Sequence, residues 1–181
     1  PKAETLRVER RGREKDLANL GVSLADGTLT IEGKGGLAGR HPVVHVVAPP
    51  GLAWTVDGCN DGRMGDVDGD LDVKSMGSGN LAFGKVRSAR VSVVGSGAIE
   101  IAEVKAKSLR IEIAGSGDVK VAGGTADEAQ VEIMGSGNVD CRAAIERARL
   151  SIMGSGDLLI RRPKQVEQSV LGAGEIQFLD D

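Results

Sequence analysis

The tripeptide Gly-Ser-Gly recurs at a near-constant spacing, and no other feature of the chain constrains its fold as tightly. It stands at Gly77-Ser78-Gly79, Gly95-Ser96-Gly97, Gly115-Ser116-Gly117, Gly135-Ser136-Gly137 and Gly154-Ser155-Gly156. Gly172-Ala173-Gly174 is a sixth copy, and a decayed one begins at Gly58-Cys59-Asn60. The first glycines thus fall at positions 58, 77, 95, 115, 135, 154 and 172, and the interval between copies hardly changes. A repeat this short cannot bury its own apolar face, so the copies must stack.

The flanks show what is being stacked. Four residues before each first glycine stand Trp54, Val73, Val91, Ile111, Val131, Leu150 and Gln168. Two before it stand Val56, Ser75, Val93, Ile113, Ile133, Ile152 and Val170, and the column between these two is polar. Alternation with period two marks a strand with one buried face. After the turn the pattern resumes, with Leu81, Ile99, Val119, Val139, Leu158 and Ile176 four residues beyond the first glycine. Phe83, Ile101, Val121, Cys141, Ile160 and Phe178 follow two residues later. Each repeat is thus strand, glycine turn, strand and a variable return. Glycine suits the corner because it reaches positive φ, and serine suits it as a partner for nearby backbone groups. The predicted fold is all-β: a single-stranded parallel β-helix of about seven turns, right-handed as parallel crossovers generally are.

Residues 1–50 lack the repeat. They offer strand patterns at 5–9, 22–24, 28–32 and 43–47, with Asp26-Gly27 as a hairpin signal between two of them. Residues 1–50 are therefore read as an N-terminal antiparallel β cap, and 51–181 as the solenoid, the two forming one continuous folded unit. A cap matters because an open solenoid end is an unpaired strand edge.

Composition agrees and excludes several function classes. One Trp, two Phe, no Tyr and 27 Gly suit narrow aliphatic layers and tight corners. A net charge of −3, with no basic stripe among aromatics, argues against a nucleic-acid partner. No apolar run approaches the ~20 residues of a membrane-spanning helix. The chain opens on Pro1 rather than Met, which is read as a processed start with a leader removed.

Asp26-Gly27-Thr28-Leu29-Thr30-Ile31, the valine-rich segment ending at Pro49-Pro50 and the stacked Gly-Ser-Gly-Asx turns carry a resemblance. The chain resembles the putative auto-transporter adhesin family, the head GIN domain, over nearly its whole length, departing at Cys59-Asn60. The resemblance implies a bacterial cell-envelope protein with a β-helical body, exported to the periplasm or the outer cell surface. The motifs are structural and name no catalytic residue.

The candidate sites are few. His41 and His45 lie ~13 Å apart along a strand, too far to share a metal. Cys59 falls at a turn and Cys141 at an inward position four rungs later, beyond the reach of a disulfide. The column after the turns, Asp61, Asn80, Ala98, Asp118, Asn138, Asp157 and Glu175, reads as side chains that each support their own corner. No metal or cofactor is expected; were a cation to bind, Asp118, Asn138 and Asp157 would be its ligands. The outward acids Glu100, Glu112, Glu132 and Asp140 read as scattered, with no loop to wall a cleft. No catalytic residue is expected.

The column just before the glycines runs Asp57, Met76, Val94, Ala114, Met134, Met153 and Leu171, apolar in all but the first. Strand parity turns it outward. Either the corner rotates it inward or another segment covers it, or it is an exposed stripe on which a second copy packs. Met76, Val94, Met134, Met153 and Leu171 are the candidate interaction residues. The functional reading is a non-enzymatic envelope or surface module, an adhesin-like interaction protein with a surface glycan, a protein or a second copy as partner. The alternatives are a carbohydrate-active β-helix enzyme and a cytoplasmic β-helical scaffold that polymerises end to end.

Overall fold

The computed structural model describes residues 7–11, 14, 20–25, 28–33, 43–47, 53–58 and 61–180. The chain divides into two compact units, Pro1–Pro49 and Pro50–Asp181. In the first, β1 (Arg7–Arg11) pairs antiparallel with β4 (Val43–Val47), and β2 (Leu20–Ala25) pairs antiparallel with β3 (Thr28–Gly33). Ala25 stands opposite Thr28, so a two-residue link closes the hairpin that Asp26-Gly27 predicts.

The second unit is a parallel β-solenoid. On the side before the turn, β5 (Ala53–Gly58), β7 (Val67–Gly77), β8 (Leu81–Gly95) and β9 (Ala98–Gly115) stack in order. β11 (Gly124–Gly135), β13 (Ala144–Gly154) and β15 (Gln165–Gly172) continue that side. After the turn, β6 (Gly62–Arg63), the first parts of β8 and β9, and β10 (Asp118–Val121) form a second side. It is completed by β12 (Val139–Cys141), β14 (Leu158–Arg161) and β16 (Ile176–Leu179). Every pairing in this unit is parallel. The first glycines align from Gly58 through Gly77, Gly95, Gly115, Gly135 and Gly154 to Gly172. Seven rungs enclose about six full turns, one fewer than the repeat count predicts.

The unequal repeats are reconciled on the return segment. Val86 pairs with Val104 but Ala89 with Leu109, so the partner strand carries two extra residues between these pairs. The register shift is a bulge that absorbs the difference in repeat length before the chain reaches the turn. The turn itself therefore stays in register at every level.

The inward columns are the ones that alternation predicts. Val73, Val91, Ile111 and Val131 are fully buried, as are Val93, Ile113, Ile133 and Ile152. Across the interior stand Ile99, Val119, Leu158, Ile101, Val121 and Ile160, equally buried. Each such side chain contributes about 1.5–3 kcal/mol of transfer free energy. Ladders of similar aliphatics fill the interior because rung spacing leaves room for one side chain per level.

The glycine turns hold the rungs together. The Gly77 carbonyl oxygen accepts two bonds from the next rung, from Ser96 N–H (2.8 Å) and Gly97 N–H (3.1 Å). Gly115, Gly135 and Gly154 repeat the arrangement with the turns that follow them. At the first glycines from Gly77 to Gly172 φ lies between 129° and 137°, where an L side chain is strained. A Cβ would also strike the carbonyl oxygen of the rung below, that of Gly115 in the case of Gly135, and the second glycines have this steric reason alone. A Cβ at Gly137 would collide with the Gly117 carbonyl oxygen and meet Ile113 Cγ2 at 2.7 Å. The backbone donors do the bonding, and the turn serines' hydroxyls face solvent with no partner among the described residues. This differs from the expectation that serine secures the corner.

Gly137→Ala is expected to lower stability by about 2–4 kcal/mol through that clash. Gly123→Ala, where a Cβ meets nothing within 4 Å and φ is not positive, should change it by less than about 1 kcal/mol in either direction. Urea midpoints with unchanged slope check both, and equal losses would refute the steric account.

Candidate functional surface

The outward positions before the turn form flat columns, because strand parity and shared register repeat each position at every rung. Farthest from the turn, several charged side chains pair with an opposite charge on a neighbouring rung, although Arg90 and Arg110 stand side by side in one column. Arg147 bonds Glu128 on the preceding rung (2.7 Å), and Arg149 bonds Glu167 on the next (2.9 Å). Lys85 bonds Glu103 (2.7 Å) and Lys164 bonds Glu146 (2.7 Å) in the same manner. These exposed pairs contribute little each, typically about 0–1 kcal/mol. They leave the face charge-compensated.

The acids that look scattered along the sequence are not scattered in space. Glu112 stands opposite Glu132 in register, and Glu100, Lys120 and Asp140 form one column. Period-two parity places all five outward, but only the register shows which share a level. Lys120 lies 3.3 Å from Glu100, and Arg142 caps Asp140 at 3.1 Å. Arg110 hydrogen bonds to Glu112 and to Gln130 on the next rung (3.2 Å). The depressions on this surface are shallow; the one lined by Ser108, Glu128, Gln130, Arg147, Arg149 and Glu167 has a volume of about 400 Å³. Its four charged side chains are the two ion pairs already named.

The Asx column does more than support its own corner. Asp118 Oδ1 accepts the backbone N–H of Asn138 on the next rung (2.9 Å) and the Asn138 Nδ2 donor (3.0 Å). Asn138 Oδ1 accepts from Asp157 N–H (3.0 Å), and Asp157 Oδ1 from Glu175 N–H (3.0 Å). Asp61 and Asn80 do the same for Asn80 and Ala98. Each side-chain oxygen thus reaches forward one rung, as a ladder. At Ala98, which has no acceptor, the next rung's Asp118 N–H turns to the Gly97 carbonyl oxygen (3.2 Å). Among the described residues, no three His, Cys, Asp or Glu side chains converge as a metal site.

Of the other singled-out residues, Cys141 is a buried free thiol in an inward column. Burial pushes its pKa from 9.0 up to about 11. His45 lies in β4 opposite Glu9, while His41 and Cys59 fall outside the described residues. The apolar column before the glycines is in register from Asp57 to Leu171. Val94 is 42% exposed, Met134 40%, Met153 43% and Leu171 71%, with Met76 and Ala114 half-buried. The corner does not rotate these side chains into the core.

The geometry has counterparts among known proteins. The family model for the putative auto-transporter adhesin, head GIN domain, matches residues 2–181. A crystal structure of a putative adhesin from Parabacteroides distasonis shares the fold with a TM-score of 0.72 at 18% identity. That match covers 98% of this chain and 86% of the other. No curated protein matches the chain.

Removing one ladder oxygen by Asp118→Ala is expected to cost about 1 kcal/mol, while Asp118→Asn, which keeps an acceptor, should cost less than half of that. Thermal melts decide, run with and without millimolar Ca²⁺. A calcium-dependent rise in melting temperature that Asp118→Asn abolishes would mark a cation site instead. For Cys141, in a Cys59→Ser background, a thiol reagent at pH 8 should label the unfolded chain and leave the folded one unmodified. Because the folded thiol titrates above the unfolded one, its contribution to stability is complete below pH 9 and is lost as pH rises towards 11.

Proposed function

The chain belongs to the putative auto-transporter adhesin family, head GIN domain, and from that membership we propose that it is an exported, non-enzymatic module of the bacterial cell envelope. On this reading it holds a macromolecular ligand, a surface glycan or a protein, against its outward ladders. One observation carries the proposal: the solenoid side before the turn is a flat, repeating array in which charged side chains on neighbouring rungs pair with one another. A surface of this kind presents many equivalent weak contacts to an extended ligand, so affinity grows with the number of rungs engaged. Among the described residues no helix is long and apolar enough to cross a membrane.

A carbohydrate-active enzyme is the second reading, and one observation favours it. Glu112 and Glu132 stand in register on adjacent rungs, and glycosidases work with paired carboxylates. Against it, Arg110 already engages Glu112, and the two face outward from a strand with no cleft described around them.

Two measurements test the proposal. Protease added to intact cells, or to cells whose outer membrane alone is permeabilised, should digest the protein. Digestion only after complete lysis would refute an exported location and favour the cytoplasmic scaffold. Immobilised protein should retain glycans or cell-surface proteins from an array without releasing sugar. Sugar release that Glu132→Gln abolishes would make the protein an enzyme.

A further inference from the structure

The apolar column in front of the glycines is flanked differently on its two sides. On the strand side, two residues earlier, the register stacks Lys74, Ser92, Glu112, Glu132, Ser151 and Ser169. On the corner side, just beyond the glycine, stand Ser96, Ser116, Ser136 and Ser155, all exposed. Their hydroxyls have no partner among the described residues, and Glu132 has none either. At the same two rungs, therefore, one flank offers carboxylates, Glu132 without a partner among the described residues and Glu112 held by Arg110, and the other offers hydroxyl donors (Ser116, Ser136).

That pattern is self-complementary under one symmetry and not under another. A two-fold axis parallel to the stacking direction exchanges the flanks and keeps the rung order. It lays Ser116 and Ser136 of one copy beside Glu112 and Glu132 of the other, and each apolar residue meets its own equivalent. A two-fold axis perpendicular to the stacking direction reverses the rungs and lays the strand-side column against itself. Glu112 of one copy then meets Glu132 of the other, twice, and the like charges repel.

We propose that the column from Met76 to Leu171 is a self-association surface on which a second copy of this chain packs side by side, parallel and in register. Methionines at adjacent levels, Met134 and Met153, suit a contact that must adapt to its own image. Six residues at ~4.8 Å per rung give a stripe ~24 Å long and little more than one side chain wide. Such a stripe falls well short of the ~800 Å² per partner of a typical stable complex. The association is therefore weak in dilute solution and becomes effective where copies are concentrated together. It holds whatever the compartment, and so stands apart from the envelope reading.

The test combines sedimentation equilibrium up to millimolar protein with disulfide trapping in a Cys59→Ser background, which leaves the buried Cys141 as the sole native thiol. Wild type should show concentration-dependent dimers, and Met134→Lys with Met153→Lys should weaken association at least tenfold at an unchanged melting temperature. Met134→Cys and Met153→Cys should each cross-link to themselves under mild oxidation. Cross-linking only in a mixture of Ala114→Cys and Met134→Cys chains would mean the antiparallel arrangement and overturn the proposal. A wild type monomeric at millimolar concentration would overturn it, as would a dimer that the double lysine variant retains. A double variant that melts far lower would place the column within the chain's own packing, with the same consequence.

Discussion

The bond from two consecutive N–H groups of one turn to the first-glycine carbonyl of the turn below is the contact on which the rest of the solenoid depends. It brings backbone against backbone at the corner, closer than any side chain permits. Two glycines per turn answer that demand: at both a Cβ would run into the carbonyl below, and the first has a positive φ as well. Once the corners are locked in register, everything between them repeats in register as well.

Two consequences follow on opposite faces of the same strands. Inside, equivalent positions become ladders that are aliphatic almost throughout, with Phe83 the buried aromatic among the described residues. Outside, equivalent positions become columns in which touching neighbours belong to successive repeats and lie far apart along the chain. Charges arranged along such a column compensate one another, as Arg147 does with Glu128 and Arg149 with Glu167. The Asx column belongs to the same logic. Its side-chain oxygens bond forward to the next rung's backbone and reinforce the corner from outside. Oxygens engaged in that ladder are committed to holding rungs together, which is a sufficient reason for Asp and Asn to recur there.

The places where sequence reasoning fell short share a cause. The outward acids looked scattered because parity along a strand says which way a side chain points but not which level it shares with another. Only the pairing of Glu112 with Glu132 shows that two of them meet. Taken along the sequence, the Asx side chains read as supports of their own turns, since local bonding is what such residues do in isolated turns. In this solenoid it is the next rung's N–H that the side-chain oxygen accepts. The period of the glycines overcounted the turns by one, because seven corners bound six circuits.

Much of the molecule was nevertheless legible from residue order: the all-β class, the parallel stacking, the inward columns, the burial of Cys141 and the antiparallel pairing of β2 with β3. A strict period and a strict alternation leave one arrangement that buries the aliphatics and spares the glycine corners. Lateral neighbours on the outer surface, and the direction in which the methionine column faces, came from the folded backbone instead. Strand parity turns a residue just before a corner outward, but the corner itself can rotate it back towards the core. The backbone path through the glycine, set by the hydrogen bonds to the rung below, turns it outward.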